Sequence, residues 1–503
     1  MHKVLGRKFR CFVREAEGNV AILFGVALIP ILLSVGVAVD YGRAMIVRDR
    51  MADAADAAAL AIGSWPDLTP DQMKTKAQQF FDANYPPSTL GTVGKLDVSF
   101  SGEDINVSVS GSVKTTFMNL ANVDHVDVGA KSTVTKKQRN IELVLVLDTT
   151  GSMGQGGKMA AMQSAAKKMV QTLFNGKSTS DSLKIAVVPF SAAVNIGTDK
   201  LNSGWLDKTA GSTISYEDFK AGVKVLDLYD QINNRNWAGC VRERGGQYEL
   251  TDDAPTSANT RWAPYFAPDE PDSPSGYANN YLNDGSYSGA TCYSGNSNAD
   301  KRQCYTGKYN NATVNGTSKG PDYNCPPRAI TPLTNNQGQV ISAIEQLQPK
   351  GNTVIPAGLL WGWRVSSPTE PFTEGVAYDD EKWVKAIVLL TDGENNVSGG
   401  SNGHDESTYN AFGFARSGHL GNTSGSNAEA TLDSKSTTVC NAIKVKNIIL
   451  YTIGFQITDT TTQNLLKSCA TKTDMFYNSP SNDQLAGIFQ DIAQGLGDLR
   501  IAK

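Results

Sequence analysis

From Val20 to Val39 the chain carries no charged residue. At about 1.5 Å of rise per residue, such a run is long enough to cross a hydrocarbon core of roughly 30 Å as one helix. Lys3, Arg7, Lys8, Arg10 and Arg14 precede it, whereas Arg43, Arg48 and Arg50 follow it mixed with Asp40, Asp49 and Asp53. The positive-inside bias therefore predicts a cytoplasmic N-terminus with the bulk of the chain outside. Pro30 would kink the span but is tolerable there. A cleaved signal peptide, cut after Gly36-Val37-Ala38, is the alternative. Two features favour an uncleaved anchor: the run is longer than a usual signal core, and the helical pattern continues past it. Val47, Met51, Ala54, Ala58 and Ala61 fall on one face.

Beyond Gly63 and the prolines at 66 and 70, Asp71–Tyr85 reads as a second helix stopped by Pro86-Pro87. Alternation follows: Leu96, Val98 and Phe100 share a face, and Ile105, Val107 and Val109 follow a turn at Gly102-Glu103-Asp104. Lys114–Met118 and His125–Thr135 also look strand-like. From Ile141 the grammar changes. Ile141–Leu147 reads as an apolar strand buried on both faces, as in a parallel sheet. After it come helix Lys158–Phe174, strand Leu183–Pro189, helices Gln339–Leu347 and Pro356–Arg364, and strand Lys385–Leu390. Helix Ser436–Val445, strand Ile448–Phe455, helix Thr460–Ser468, a short strand near Met475 and helix Asn482–Gly495 complete the series. Strands alternating with helices predict a doubly wound, Rossmann-like α/β sheet.

The expected plan is a basic cytoplasmic tail (1–17), a transmembrane helix (18–39), a helix with a small pilin-like α+β domain (40–136), and the α/β domain (137–503). Two insertions interrupt the last, at about 202–334 and 395–434. The first, rich in Asn, Gly, Ser, Tyr and Asp, and the second, nearly all Gly, Ser, Asn and Thr, are expected as surface excursions, the first braced by disulfides.

Composition narrows the function. A formal net charge of −4 and a pI near 5.7 leave no basic face for nucleic acid, and a mean hydropathy of −0.29 describes a mostly soluble body. Cys11 falls on the cytoplasmic side. Cys240, Cys292, Cys304, Cys325, Cys440 and Cys469 lie beyond the span and form no CxxC or zinc spacing, so disulfides are expected. Cys440 with Cys469 is favoured, because each would lie on a helix flanking the strand at 446–455; the other four leave three pairings open.

Three stretches place oxygen-bearing side chains at predicted strand ends or loops: Asp148-Thr149-Thr150-Gly151-Ser152, Thr353 within Pro349-Lys350-Gly351-Asn352-Thr353, and Asp392-Gly393-Glu394. Ligands of open α/β sheets bind at the carboxyl ends of the strands. Oxygen clusters there suit a hard divalent cation, magnesium, manganese or calcium. Taken singly, each is an ordinary strand-to-helix turn, and Glu394 reads as an exposed loop acid.

Asp148-x-Thr150-x-Ser152 resembles the D-x-[ST]-x-S motif of von Willebrand factor A (VWA) domains, with Thr353 and Asp392 at the family's other metal positions. The resemblance implies a metal-ion-dependent adhesion site. Thr150, Ser152 and Thr353 would give hydroxyl ligands, and Asp148 and Asp392 would act largely through water. Magnesium is the metal it favours. Uncharged hydroxyl ligands leave the cation most of its charge, so an open position could take a carboxylate from a partner protein.

The N-terminal part resembles a second family. Glu17-Gly18-Asn19-Val20-Ala21, Val39-Asp40-Tyr41-Gly42-Arg43 and Met51-Ala52-Asp53-Ala54-Ala55-Asp56-Ala57-Ala58 are similar to TadG-like Flp pilus-assembly proteins, as is Gly358-Leu359-Leu360-Trp361-Gly362-Trp363-Arg364. This implies a bacterial inner-membrane protein facing the periplasm or exterior, working with pilus-assembly components.

Other signals fail. Gly176-Lys177-Ser178 lacks the first glycine of a phosphate loop, Gln171 standing there, and Gly154-x-Gly156-Gly157 lacks dinucleotide spacing. The four histidines form no metal motif, and no G-x-S-x-G elbow occurs. Trp361 and Trp363 read as core or domain-contact residues, and Asp269, Glu270 and Asp272 as a solvated loop. The expectation is a metal-dependent adhesion-type protein of pilus assembly and not an enzyme. The alternatives are a metal-free envelope scaffold and a chelatase-like subunit of an ATPase complex.

Overall fold

A computed structural model describes residues 18–65, 68–86, 91–101, 104–135, 139–273, 277–285, 291–292, 295, 297–397, 404–421 and 425–499. Cys11, the basic tail and Gly102-Glu103 of the expected turn lie outside these residues. The chain divides into two compact units, residues 1–138 with 501–503, and residues 139–500.

In the first unit, α1 (Gly18–Gly63) runs unbroken through Pro30. Its first half presents Val20–Val39 largely exposed, while Val47, Met51, Ala54 and Ala58 are buried, so one helix changes character near Asp40. α2 (Pro70–Asn84) begins with a capping box, Thr69 Oγ1 accepting from Gln72 N–H and Gln72 Oε1 accepting from Thr69 N–H. An antiparallel sheet of β1 (Thr92–Val93), β2 (Asp97–Ser101), β3 (Asp104–Lys114) and β4 (His125–Thr135) packs its Val98, Ile105, Val107 and Val109 on these helices. Two expectations fail here. Phe100 does not join Leu96 and Val98 in the core but stands 40% exposed. The strand expected at Lys114–Met118 is only the end of β3; the chain then turns and forms a single 3-10 turn at Met118–Ala121, because Asp40 takes its backbone N–H groups.

The second unit opens with β5 (Asn140–Asp148), α3 (Lys158–Phe174) and β6 (Leu183–Phe190). Then come β7 (Val194–Asn195), α4 (Val225–Gln231), β8 (Cys240–Val241), α5 (Asn298–Gln303) and β9 (Thr331–Thr334). α6 (Gln337–Glu345), α7 (Ile355–Ser366), β10 (Trp383–Thr391), α8 (Gly425–Val445), β11 (Ile449–Phe455), α9 (Thr460–Cys469), β12 (Phe476–Ser479) and α10 (Asn482–Leu499) follow. The strand order is β12-β11-β10-β5-β6-β7-β8, with β9 on β6. From β12 to β6 neighbours are parallel, and β7, β8 and β9 extend the sheet antiparallel. The expected doubly wound α/β sheet is present.

Both faces are covered, which is why the strands read as nearly continuous apolar runs. Leu143, Leu145 and Leu147 of β5 face α3, α6 and α10; Val144 and Val146 face α7. α7 sits directly on the strands through two glycines: a Cβ on Gly362 would stand 2.5 Å from Val146 Cγ2, and one on Gly358 2.6 Å from Phe190 Cγ. β5 is not wholly apolar. Glu142 is fully buried, and its carboxylate holds Lys184 of β6 at 3.1 Å, Lys385 of β10 and the Val376 N–H at 3.0 Å.

The insertions are not surface excursions. Trp205, Phe219, Tyr229, Trp262, Phe266 and Tyr309 of the larger, with Tyr409 and Phe412 of the smaller, are buried in the core over α7. Trp262 packs on Trp361 with ring centroids 4.9 Å apart. Averaged over many polar residues the composition looks solvated, yet sparse aromatics converge on one surface. Among the described residues three disulfides form: Cys440–Cys469 between α8 and α9, as expected, Cys240–Cys325, and Cys292–Cys304. Asp269 and Glu270 are buried, not solvated. Lys308 Nζ stands 2.7 Å from Asp269, whose Oδ1 also accepts the N–H groups of Tyr281 and Leu282.

Candidate metal centre

β5 and β10 are neighbours in the sheet, yet the chain leaves β5 toward β6 on one side and reaches β10 on the other. The carboxyl ends of this pair are therefore the topological switch point, where a crevice opens between the departing loops. Asp148 ends β5 and Asp392 follows β10, so two acids leave the same edge side by side.

Asp148 is fully buried. Its Oδ1 accepts the Thr150 N–H at 2.7 Å and its Oδ2 the Thr391 hydroxyl at 2.7 Å. Asp392 Oδ1 accepts the Ser152 hydroxyl at 2.7 Å and, at 3.5 Å, that of Thr150. The Thr150 and Ser152 hydroxyl oxygens are 2.9 Å apart. Four of the five expected residues thus form one hydrogen-bonded cluster.

Thr353 arrives on a separate loop that the backbone ties to the first. Gly151 N–H donates to the Gly351 carbonyl at 2.8 Å and Lys350 N–H to that of Thr149 at 2.7 Å. Gly351 has φ +88°, and a Cβ there would press on the Asn324 carbonyl at 2.8 Å, so the loop can lie this close only with glycine. Thr353 is buried, and its Oγ1 lies 3.8 Å from where a Cβ on Gly393 would stand.

Burial first, and then the neighbouring Asp392 carboxylate, push the Asp148 pKa well up. Positive charge nearby comes from Lys158, whose Nζ stands 2.9 Å from Asp392 Oδ2. The acids of the rim reinforce the negative potential. Glu394 is exposed as expected, and its pKa is raised by partial desolvation and by Asp459, Glu429 and Asp433.

The donor chemistry fits a hard divalent cation. Among the described residues no three His, Cys, Asp or Glu side chains gather into a metal-holding group. Here two carboxylates are joined instead by hydroxyls. Among the described residues one ammonium, that of Lys158, stands against the acid pair, and burial followed by the Asp392 carboxylate raises the proton affinity of Asp148.

Sequence reasoning missed Lys158, Thr391 and Asn395. Thr391 orients Asp148. Asn395 accepts the Ile355 N–H at 2.8 Å at the start of α7 and donates to Asp433 at 2.7 Å. Both flank Asp392-Gly393-Glu394, so the motif's edges carried the signal. Lys158 had none, since its partner is 234 residues away.

Residues 18–63 match the family model described as Flp pilus-assembly TadE/G-like. No curated protein gives a match. Among solved structures, the chain is similar to the vWF domain of the type V pili tip protein Mfa5 from Porphyromonas gingivalis. That match has 10% identity and a TM-score of 0.35, and covers 73% of this chain and 97% of that one. It is also similar to a point mutant of the PilB minor pilin from Streptococcus sanguinis, at 13% identity and a TM-score of 0.33, covering 80% and 78%. A third, proximal thread matrix protein 1 from the mussel byssus with a zinc-occupied MIDAS motif, matches at 13% identity and a TM-score of 0.30. It covers 73% of this chain and 47% of the mussel protein, so the chain spans less than half of that relative.

Proposed function

We propose that this chain is a membrane-anchored, metal-dependent protein-binding component of Flp-type pilus assembly in the bacterial envelope, and not an enzyme. The cluster at the switch point carries the reading: two acids from adjacent strand ends, joined by hydroxyls, one of them fully buried with its proton affinity raised. Asp148, Thr150, Ser152, Thr353 and Asp392 would hold a divalent cation, magnesium foremost, with manganese or calcium as alternatives. Once bound, such a cation supplies an electrophilic position that accepts a carboxylate oxygen. The chain's own part is to fix the donors: Thr391 and the Thr150 N–H orient Asp148, and the Gly351 loop brings in Thr353.

The apolar half of α1 would anchor the protein in the inner membrane, with the chain beyond Asp40 outside. One helix of the described chain is long and apolar enough for this, and the TadE/G-like match falls on it. Disulfides in the second unit accord with an oxidising compartment.

A metal-free scaffold has one observation in its favour, since Lys158 already neutralises Asp392. Capture of envelope proteins by the full chain, with magnesium and with chelator, in wild type and Asp148→Ala, separates the two. Loss under chelator and in the variant supports the cation; capture that survives both supports the scaffold.

A further inference from the structure

The 3-10 turn after β3 is pinned to α1 at a particular height. Asp40 is buried, and its carboxylate accepts the N–H groups of Thr116 at 3.0 Å, Phe117 at 2.7 Å and Met118 at 2.8 Å. Arg43 Nη1 donates to the Thr116 hydroxyl at 2.9 Å from one turn further along. One turn in the other direction, Phe117 packs on Gly36, where any Cβ would collide with its ring. Gly36 lies three residues inside the uncharged run that ends at Val39, about 5 Å along the helix axis. The turn thus reaches back along the apolar stretch. Leu120 and Phe117 complete an apolar groove with Leu32, Leu33, Gly36 and Val39.

The segment is unusual for one on a polar surface. Thr116–Val123 contains no charged residue, yet Phe117 is 43% exposed and Leu120 79%. Six of its eight backbone N–H groups are taken by protein acceptors. Besides the three N–H groups that Asp40 takes, Leu120 donates to Phe117, Asn122 to Asn119 and Val123 to Met118. In an exposed loop, water could satisfy such groups as well. Internal pairing is what irregular backbone needs where water is scarce.

We infer that Thr116–Val123 is a second membrane contact, in which Phe117 and Leu120 enter the outer leaflet beside α1 and Asp40 marks the water boundary. This rests on the reading of α1 as a membrane span. Whatever covers Val35 and Val39 must also cover Phe117, because they share one groove; with lipid around the helix, acyl chains meet the loop. Polar and charged side chains resume with Asp124 and His125, where headgroups and water would begin.

The test uses the full chain with Cys11→Ser, reconstituted in vesicles of phosphatidylethanolamine and phosphatidylglycerol. A nitroxide is placed singly at Val26→Cys, Leu120→Cys or Asp124→Cys, all exposed sites that tolerate a label. Collision with oxygen, enriched in lipid, is compared with collision with a water-soluble nickel chelate. The inference expects the label at 120 to shift toward oxygen and away from nickel, like that at 26, while the label at 124 stays open to nickel. A nickel-accessible label at 120 beside a lipid-exposed label at 26 overturns the loop contact alone. A label at 120 shielded from both reagents means protein cover, and also overturns it. A nickel-accessible label at 26 overturns the membrane span and the loop contact together.

Discussion

Lys158 Nζ stands 2.9 Å from Asp392 Oδ2, so the distal acid of the candidate site already faces a positive charge from the first residue of α3. The lysine is mostly buried, which keeps the pair from being fully screened. On the proposed reading it competes with a bound cation. Lys158→Met is therefore expected to tighten manganese binding by about tenfold, the scale of one unit charge a few ångströms away in a partly screened site. Isothermal titration of both proteins checks this.

Asp148 separates stability from binding. Burial and Asp392 raise its pKa, so its stabilising contribution is complete below the unfolded value of 3.8 and is lost as pH rises toward neutrality and beyond. Asp148→Asn removes that penalty while keeping an acceptor for the Thr150 N–H. Without metal the variant is expected to be as stable as wild type, or more stable by up to about 2 kcal/mol at pH 8. It should no longer gain stability from added magnesium. Denaturant unfolding with and without the ion measures both effects.

A second pH dependence arises where the two insertions meet. Asp405 is fully buried with its pKa pushed up to about 8, burial outweighing Arg416, which stands 3.1 Å away but is shared with Asp300. Burial also raises Glu270 to about 7. An acid whose folded pKa is raised stabilises fully below its unfolded pKa and loses that contribution as pH rises through the folded one. The second unit should thus lose stability between about pH 4 and 8, at roughly 1.4 kcal/mol per pH unit for each proton retained. Asp405→Asn should flatten the slope, as read from unfolding curves at pH 5, 6.5 and 8.

Trp262 tests whether the larger insertion is part of the core. Its side chain is fully buried against Trp361, with the guanidinium groups of Arg244 and Arg364 4.6 and 5.0 Å from its ring. Trp262→Ala is expected to cost about 3–5 kcal/mol, the range for a buried aromatic. A loss under about 1 kcal/mol, of the kind surface changes give, would mean that the insertion is peripheral.

The sheet was legible because strands buried on both faces leave long apolar runs, and helices of one-sided amphipathicity mark the crossovers between them. The oxygen clusters were legible for the same reason, since strand ends in an α/β sheet share one edge. What stayed hidden depended on contacts far apart in sequence. Glu142 is compatible with a buried strand only because lysines of two neighbouring strands meet it. Asp269 and Glu270 looked solvated because proline and acid signal a loop, and nothing nearby in sequence announces Lys308 as a partner. The 116–123 turn replaced an expected strand because one carboxylate on a distant helix takes its donors.

On the proposed reading, Asp148, Thr150, Ser152, Thr353 and Asp392 together hold one divalent cation. Titration of the full chain with Mn²⁺, following the free ion by electron paramagnetic resonance, measures this binding. The prediction is one saturable site that magnesium displaces and that Asp148→Asn and Ser152→Ala each abolish. No saturable binding by the wild type, or binding unchanged in both variants, would contradict it.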